Sequence, residues 1–465
     1  MGAILHFGTD GWRARADAEF TEANVARVAD AAGSCWERQA PGGTVYVGYD
    51  TRLGADFFAR VAAEVLAGHG LAVKLSDRFA PTPALSWAVA ADAAACGGLM
   101  VTGSHNPMGY LGIKLRVADG AIGSADFYDE IERLIPPEAP GRRGAVELVD
   151  FCSPYLSSLV GLVDMAAIAK ARPKVVYDPM YGAASGHFSN LLVASGVETA
   201  EIHSAGETGW EDIHPEPIEP WVDACEHAVV RCGADVGLIN DGDADRVGAV
   251  DENGRFVNQQ KIIALLLGHL AVDRGMTGSV VLNLSTSVFI RRIATRLGLR
   301  VIIKPVGFTH IYREMRKGGV LIAGEEAGGI AVPALMPERD GLLMNLLLLE
   351  LMAQTGKSLG TLVAETEKRF GDTYYARRDL RLPAEDIEML RTMLPGLNPP
   401  LVAGRAATRV SHMDGLRMEF EDESWLLLRP SGTEPLVRVY AEAPSIAQRD
   451  ELLDAGCEIA RHGMF

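Results

Sequence analysis

Four short stretches of this chain concentrate hydroxyl, carboxylate and guanidinium side chains among glycines. The first is Val101-Thr102-Gly103-Ser104-His105-Asn106-Pro107, a hydroxyl beside an imidazole just before an Asn-Pro turn signal. A serine placed so can be a nucleophile or a phosphoryl carrier, or can simply bond its own backbone in the turn. The second is Asp241-Gly242-Asp243-Ala244-Asp245-Arg246. Residues two apart point the same way in extended chain, and three converging carboxylates repel one another unless a hard cation neutralises them. The third, Gly324-Glu325-Glu326-Ala327-Gly328-Gly329, offers a carboxylate that can accept hydrogen bonds from neighbouring sugar hydroxyls. The fourth, Arg429-Pro430-Ser431-Gly432-Thr433-Glu434-Pro435, combines a guanidinium, two hydroxyls and glycine-permitted backbone N–H groups, a set that binds a tetrahedral dianion without lysine. It is not a Walker loop, which requires Gly-Lys-Ser/Thr. An EF-hand competes for the aspartates, because Asp241, Asp243, Asp245 and Glu252 fall at its first, third, fifth and twelfth positions. Arg246 stands where that loop needs glycine, and the flanks read as strands rather than helices.

The elements that must hold these loops alternate between strand and helix. Gly97 to Val101 is an apolar run that reads as a buried strand, which puts Ser104 at a strand end, where ligands gather in open α/β sheets. Before it come a helix over 21–37 with Thr21 as its cap, a strand at Thr44 to Gly48 ending in Tyr49-Asp50-Thr51-Arg52, and a helix over 55–68. This alternation predicts a doubly covered sheet. Pro136 to Gly144 reads as a linker. A second series follows, with strands at Lys174 to Tyr177, Val236 to Asn240 and Val247 to Val250, the last ending in a hairpin-like turn at 251–254. A third has a helix over 259–273, strands at 279–284, 300–303 and 319–323, and a buried helix at Leu342 to Gln354, apolar on most faces. The last hundred residues read as a smaller α+β unit: strands at 416–420, 425–428 and 436–440, then a helix over 445–462.

Bulk properties narrow the classes. The 465 residues are 48% hydrophobic and 23% charged, an ordinary globular composition long enough for several domains. A net charge of −17 argues against nucleic-acid or membrane-surface partners, so an anionic substrate must be met by local basic loops. The apolar runs Ile262–Leu267 and Leu342–Met352 fall short of the roughly 18 residues of a membrane span. Six scattered cysteines without Cys-x-x-Cys spacing, and an N-terminus unlike a signal peptide, predict reduced thiols in a cytoplasm. Oligomeric state has no signature here.

Taken together and in order, Thr-Gly-Ser104-His-Asn-Pro, the Asp241 loop, the Glu325 loop and the Arg429 loop resemble those of the α-D-phosphohexomutase family, which includes phosphoglucomutases and phosphomannomutases. The resemblance runs from Phe7-Gly8-Thr9-Asp10-Gly11-Trp12-Arg13 to the last unit. It implies three similar α/β domains with mixed sheets covered by helices, plus a smaller C-terminal α+β domain, around a central cleft. The boundaries expected are 1–140, 141–253, 254–368 and 369–465, each domain lending one loop. It implies that Ser104 carries a phosphoryl group, that Ser104 with Asp241, Asp243 and Asp245 holds Mg²⁺, and that a hexose 1,6-bisphosphate is intermediate and activator. Arg246 and Glu325 would face the sugar; Arg429, Ser431, Gly432 and Thr433 would grip the phosphate that does not react. Lys114 matches a lysine considered for proton transfer, with His105 behind it, and Arg13 an arginine of the cleft. As a base, Lys114 needs a lowered pKa. Ala327 stands where serine is usual, Gly329 where some members have histidine, Leu111 where asparagine is common, and Thr309 where glucomutase-like members often carry lysine. The expected reaction interconverts hexose 1- and 6-phosphates with glucose favoured. Mannose or glucosamine phosphate as substrate, a metal-dependent phosphatase and a sugar-phosphate sensor are the alternatives.

Overall fold

The computed structural model describes residues 5–8, 10–206, 213–336, 338–431 and 436–462. Its first sheet has six strands in the order Trp12–Arg15, Tyr110–Val117, Ala95–Val101, Thr44–Tyr49, Ala72–Ser76, Glu147–Val149. The central pair, Ala95–Val101 and Thr44–Tyr49, is parallel and almost wholly buried, which is why both sequences are continuous apolar runs rather than alternating ones. Helices Glu22–Gln39 and Ala55–Ala67 pack on each other and on the sheet, while helix Thr82–Ala91 covers Ala95–Val101. Thr21 caps the first helix by accepting the Asn24 N–H. The glycine-rich opening and the segment after the Ser104 loop are antiparallel strands that the sequence did not predict, Trp12–Arg15 and Tyr110–Val117.

The second sheet orders Phe256–Val257, Val247–Val250, Val236–Asn240, Lys174–Asp178, Glu198–Glu201; the third orders Val301–Lys304, Ser279–Asn283, Val320–Gly324, Ile330–Ala331. Both mix parallel and antiparallel pairs, as expected for this fold class. The first sheet takes its last strand from beyond residue 140 and the second from beyond residue 253, because connecting segments pair along the sheet edges. Helix Gly341–Thr355 crosses over in the same way. It packs on helix Met165–Ala171 and on strands Val236–Asn240 and Val247–Val250, and Leu342 to Met352 are buried without a break. One apolar cluster therefore runs through all three units, from Tyr46 to Leu362.

The fourth unit is a five-stranded antiparallel sheet, Tyr374–Arg381, Leu436–Ala443, Trp425–Pro430, Leu416–Glu419, Arg409–Ser411, backed by helix Ile446–His462. Among the described residues its core draws on its own unit, Ile387 to Ala460. Trp425, Leu427 and Tyr440, on the sheet's other face, pack against Leu284 and Val288 of the third unit. Glu442 fastens that contact. It accepts from Ser287 Oγ, from the Val288 N–H at 2.9 Å and from Trp425 Nε1 at 2.7 Å.

Candidate active site

Ser104 lies just past the end of strand Ala95–Val101, buried, with φ +48°. Its Oγ is 3.3 Å from Asp241 Oδ2, 3.4 Å from His105 Nδ1 and 3.5 Å from Lys114 Nζ. The loop is fixed from below by the neighbouring strand end. Asp50 accepts from Thr102 Oγ1 (2.6 Å) and the Gly103 N–H (3.1 Å), and Arg52 donates to the Ser104 carbonyl (2.8 Å). Arg13, on the edge strand, bonds Asn106 on the far side of the loop.

Asp241, Asp243 and Asp245 are all buried, and one carboxylate oxygen from each lies within 4.8 Å of the others. Ala244 with φ +61° folds the loop so that the three converge. Glu252 is elsewhere, accepting from Ser358 Oγ and the Gly360 N–H, so the EF-hand pattern has no structural counterpart. Burial, then Asp243 and Asp245, push Asp241 well above the usual carboxylate range. Burial would also raise Asp243, but Lys114, Thr82 and Ser104 outweigh it and hold this carboxylate below that range. Asp243 Oδ1 and Asp245 Oδ1 are buried without a hydrogen-bond partner among the described residues. An all-oxygen set with two orphaned acceptors fits a hard divalent cation.

Lys114 points into the same cluster, 2.6 Å from Asp243, 2.8 Å from Asp245 and 3.1 Å from Asp10. Burial alone would lower its pKa; Asp10, Asp243 and Asp245 together outweigh burial and raise it. The lowered pKa that a lysine base requires is therefore absent, a correction to the sequence expectation. The three carboxylates responsible come from segments far apart in the chain. His105 goes the other way: burial, then Arg246 and Arg13, hold its pKa well below the ordinary imidazole value, so it is neutral at pH 7.

Arg246 reaches from the aspartate loop to Glu216 (2.8 Å) and lies 3.5 Å from His105 Nε2. The Glu325 loop docks on the aspartate loop through a backbone bond from Val247 to Gly328. Glu325 accepts the Gly307 N–H at 3.2 Å; burial pushes its carboxyl up to about 7, although Arg339, 3.8 Å away, pulls it down. Arg429 donates to Asp414 (2.8 Å), which also accepts the Val306 N–H, so the fourth loop is tied to the segment that holds Glu325. Ser431 is buried, and its carbonyl accepts from Arg391. Gly432 and Thr433 lie outside the described residues.

Several members of the site carry no motif in the sequence reading. Arg339 pairs with Asp10 (2.7 Å) and Asp245 (3.0 Å) and lies over the Phe308 ring, joining the first, second and third units. Thr82 donates to Asp243 at 2.5 Å. Asp10 sits between Lys114, Arg339 and Arg116; burial would raise its pKa, but these cations hold it well below the carboxylate range. Asp10 falls within a glycine-rich stretch with Arg13, which was the one available signal.

Comparison with known proteins agrees with this assembly. Models of phosphoglucomutase/phosphomannomutase α/β/α domains I, II and III match residues 5–140, 153–254 and 258–370, and the C-terminal domain model matches 390–458. A phosphoglucomutase/phosphomannomutase of Thermococcus kodakarensis is 31% identical, covering 100% of both chains. A phosphoglucosamine mutase of Frankia alni is 34% identical over 95% of this chain and 94% of its own. A solved structure from Thermus thermophilus, assigned as a phosphomannomutase, superposes with a TM-score of 0.88 at 35% identity, covering 99% of each chain. With its four phosphoglucomutase/phosphomannomutase domains in order and relatives matched over nearly the whole length, this chain belongs to the α-D-phosphohexomutase family, enzymes that move a phosphoryl group within a sugar phosphate.

Proposed function

We propose that this phosphohexomutase interconverts hexose 1-phosphate and hexose 6-phosphate, with glucose favoured, through phospho-Ser104 and a hexose 1,6-bisphosphate that turns over between two transfers. One observation carries this function. Ser104 Oγ has an imidazole, an ammonium and a carboxylate within 3.5 Å, and Arg429, in the loop expected to take a second phosphate, is joined through Asp414 to the Val306–Gly307 segment that holds Glu325. A mutase must hold one phosphate while it moves another; a phosphatase or a sensor has no need of both.

In the first transfer the sugar's free hydroxyl attacks the phosphorus on Ser104, forming its O–P bond as the Oγ–P bond breaks. The hydroxyl proton passes to neutral His105. Protonated Lys114, 3.5 Å from Oγ, supplies the proton that the departing serine oxygen takes up. The second transfer, at the sugar's other end, runs these steps backwards and restores all three groups. Asp241, Asp243 and Asp245, with the phosphoryl group on Ser104, would hold Mg²⁺, which when bound supplies positive charge for the phosphoryl oxygens. Positioning falls to the loops. Glu325 accepts from the hydroxyls on carbons three and four, which meet the same place in both orientations, while Arg246 faces the sugar and Arg429, Ser431, Gly432 and Thr433 hold the other phosphate.

A loop that reads carbons three and four is nearly blind to carbon two, so mannose phosphates should turn over detectably. The phosphoglucosamine mutases among the relatives give glucosamine phosphate a place in the test. Glucose, mannose and glucosamine 1-phosphates are offered in turn and the products separated. The expected result is 6-phosphate from each, fastest from glucose. Free phosphate as the main product would instead identify a phosphatase, and no product at all a sensor.

A further inference from the structure

We infer that Arg52 is the positioning residue of the phosphoryl carrier: its buried guanidinium clamps the serine loop by the backbone, and losing it separates sugar binding from phosphorylation of Ser104. This deepens the assignment of Ser104 as carrier and rests on it.

Arg52 follows the central strand Thr44–Tyr49 and turns beneath the neighbouring loop. Its side chain is 1% exposed. Nη1 donates to the carbonyls of Pro107 (2.7 Å) and Tyr110 (3.0 Å); Nη2 donates to those of Ser104 (2.8 Å) and Asn106 (2.5 Å). One side chain thus satisfies four carbonyls of a seven-residue turn. Lysine, a single nitrogen on a flexible stem, cannot span acceptors spread in this way, whereas the rigid fork of arginine can. Asp50 completes the clamp. It lies 3.4 Å from Arg52 Nε and holds Thr102 and Gly103, while Thr102 Oγ1 accepts the Ser104 N–H at 2.7 Å. Gly103 lies so close to the guanidinium that a Cβ there would be driven into it.

The clamp has something to hold. Ser104 adopts a left-handed backbone, φ +48°, which a non-glycine residue keeps only where the surroundings over-determine it. No residue from 102 to 110 belongs to either apolar core that flanks the loop. Packing therefore does not fix this turn, and releasing it opens no core. The expected sugar and phosphate grips, at Glu325 and Arg429, come from other units, so they outlast the clamp.

The test takes the full-length enzyme, dephosphorylated, and gives it glucose 1,6-bisphosphate. Quenched samples are weighed by intact mass to time the appearance of phospho-Ser104, and calorimetry measures glucose 6-phosphate affinity separately. Arg52→Ala should slow phosphorylation by about 100-fold or more, the usual consequence of misplacing a reacting atom by 1 Å. Sugar-phosphate affinity should be unchanged. Arg52→Lys should recover little of the rate, and guanidinium salt, far below denaturing concentration, should recover part of it in Arg52→Ala. Gly103→Ala, which keeps the arginine but displaces it, should show the same separation and serves if Arg52→Ala does not fold. Wild-type phosphorylation rates in both variants would overturn the inference, as would sugar affinity falling in step with rate or a guanidinium addition that restores nothing. Wild-type enzyme that takes up no phosphoryl group on Ser104 would instead sink the carrier assignment, and it runs in the same experiment.

Discussion

Ser104, His105 and Lys114 show how three side chains close together can be driven to opposite protonation habits. His105 is kept neutral by burial and by arginines, whereas Lys114 is kept charged by three carboxylates. Ser104→Ala should therefore lose nearly all mutase activity with its fold intact, since the loop holds no core; intact mass should find a phosphoryl group on active wild type and none on the variant. Glu325 carries a pH signature. Its pKa is raised from the ordinary 4.5 to about 7, so it is protonated below that value and its second acceptor oxygen is lost. Affinity for sugar hydroxyls should then grow as pH rises through about 7, giving kcat/KM an acid limb there. Glu325→Gln should flatten that limb and cost about 2 kcal/mol in kcat/KM, the scale of a charged hydrogen bond; an unshifted profile would remove Glu325 from recognition. The residues legible in the sequence were those whose chemistry is local: a serine beside a histidine, three aspartates at alternate positions, an arginine-serine-threonine loop. Arg52, Asp10 and Arg339 were not legible, because each acts on a loop dozens to hundreds of residues away. The charge state of Lys114 was missed for the same reason.

Helix Gly341–Thr355 is the element on which the aspartate loop leans. Gly341 donates its N–H to the Ala244 carbonyl, and a Cβ at this position would strike the Arg246 carbonyl, the Asn240 amide and the Ala244 carbonyl. Its φ is not in the left-handed region, so the glycine is there for space. Gly341→Ala should lower stability by about 1–3 kcal/mol in urea, the usual cost of overpacking, and weaken metal binding with it. Asp340 caps the helix through the Leu343 N–H and accepts the Tyr155 hydroxyl from across the unit boundary. Burial raises its pKa from 3.8 to about 6, partly offset by those bonds. Its stabilising contribution is thus complete below about 3.8 and is lost as pH rises through about 6. Asp340→Asn keeps a cap but cannot ionise, so the loss of melting temperature between about pH 4 and 7 should be smaller in the variant than in wild type. An identical pH dependence would show that Asp340 does not titrate there. The helix was legible as a long run of leucines, and its burial with it. Its partner was not, because a helix apolar on every face does not say which sheet it crosses to cover. Strands Trp12–Arg15 and Tyr110–Val117 were hidden behind glycines and turn signals that described the neighbouring loops instead.

At the scale of the molecule, a chain with net charge −17 gathers four arginines and one lysine at a single site: Arg246, Arg339 and Lys114 reach the buried aspartates, while Arg13 and Arg52 hold the Ser104 loop beside them. Chelator should abolish activity and Mg²⁺ should restore it; calorimetry should find the metal bound by wild type and bound more weakly when any one of Asp241, Asp243 and Asp245 is alanine. Full activity in excess chelator would dismiss the aspartate cluster as a metal site. The four-unit plan was legible because strand–helix alternation and loop order survive in the sequence; the shared core was not, because swapped helices leave no local mark. The last unit stands apart from that shared core: its core is its own, and it meets the rest through a small apolar face, through Glu442, and through polar contacts that include Arg291 with Glu419, Arg417 with the Leu284 carbonyl and Asp414 with the Val306 N–H. Heat should therefore dismantle the protein in sequence rather than at once. The C-terminal unit should melt first, and calorimetry should show a smaller transition ahead of the main one. Between the two temperatures the enzyme would be inactive yet still bind its metal, so catalysis and metal affinity should have different melting points, and the gap between them would measure how firmly the fourth unit is attached.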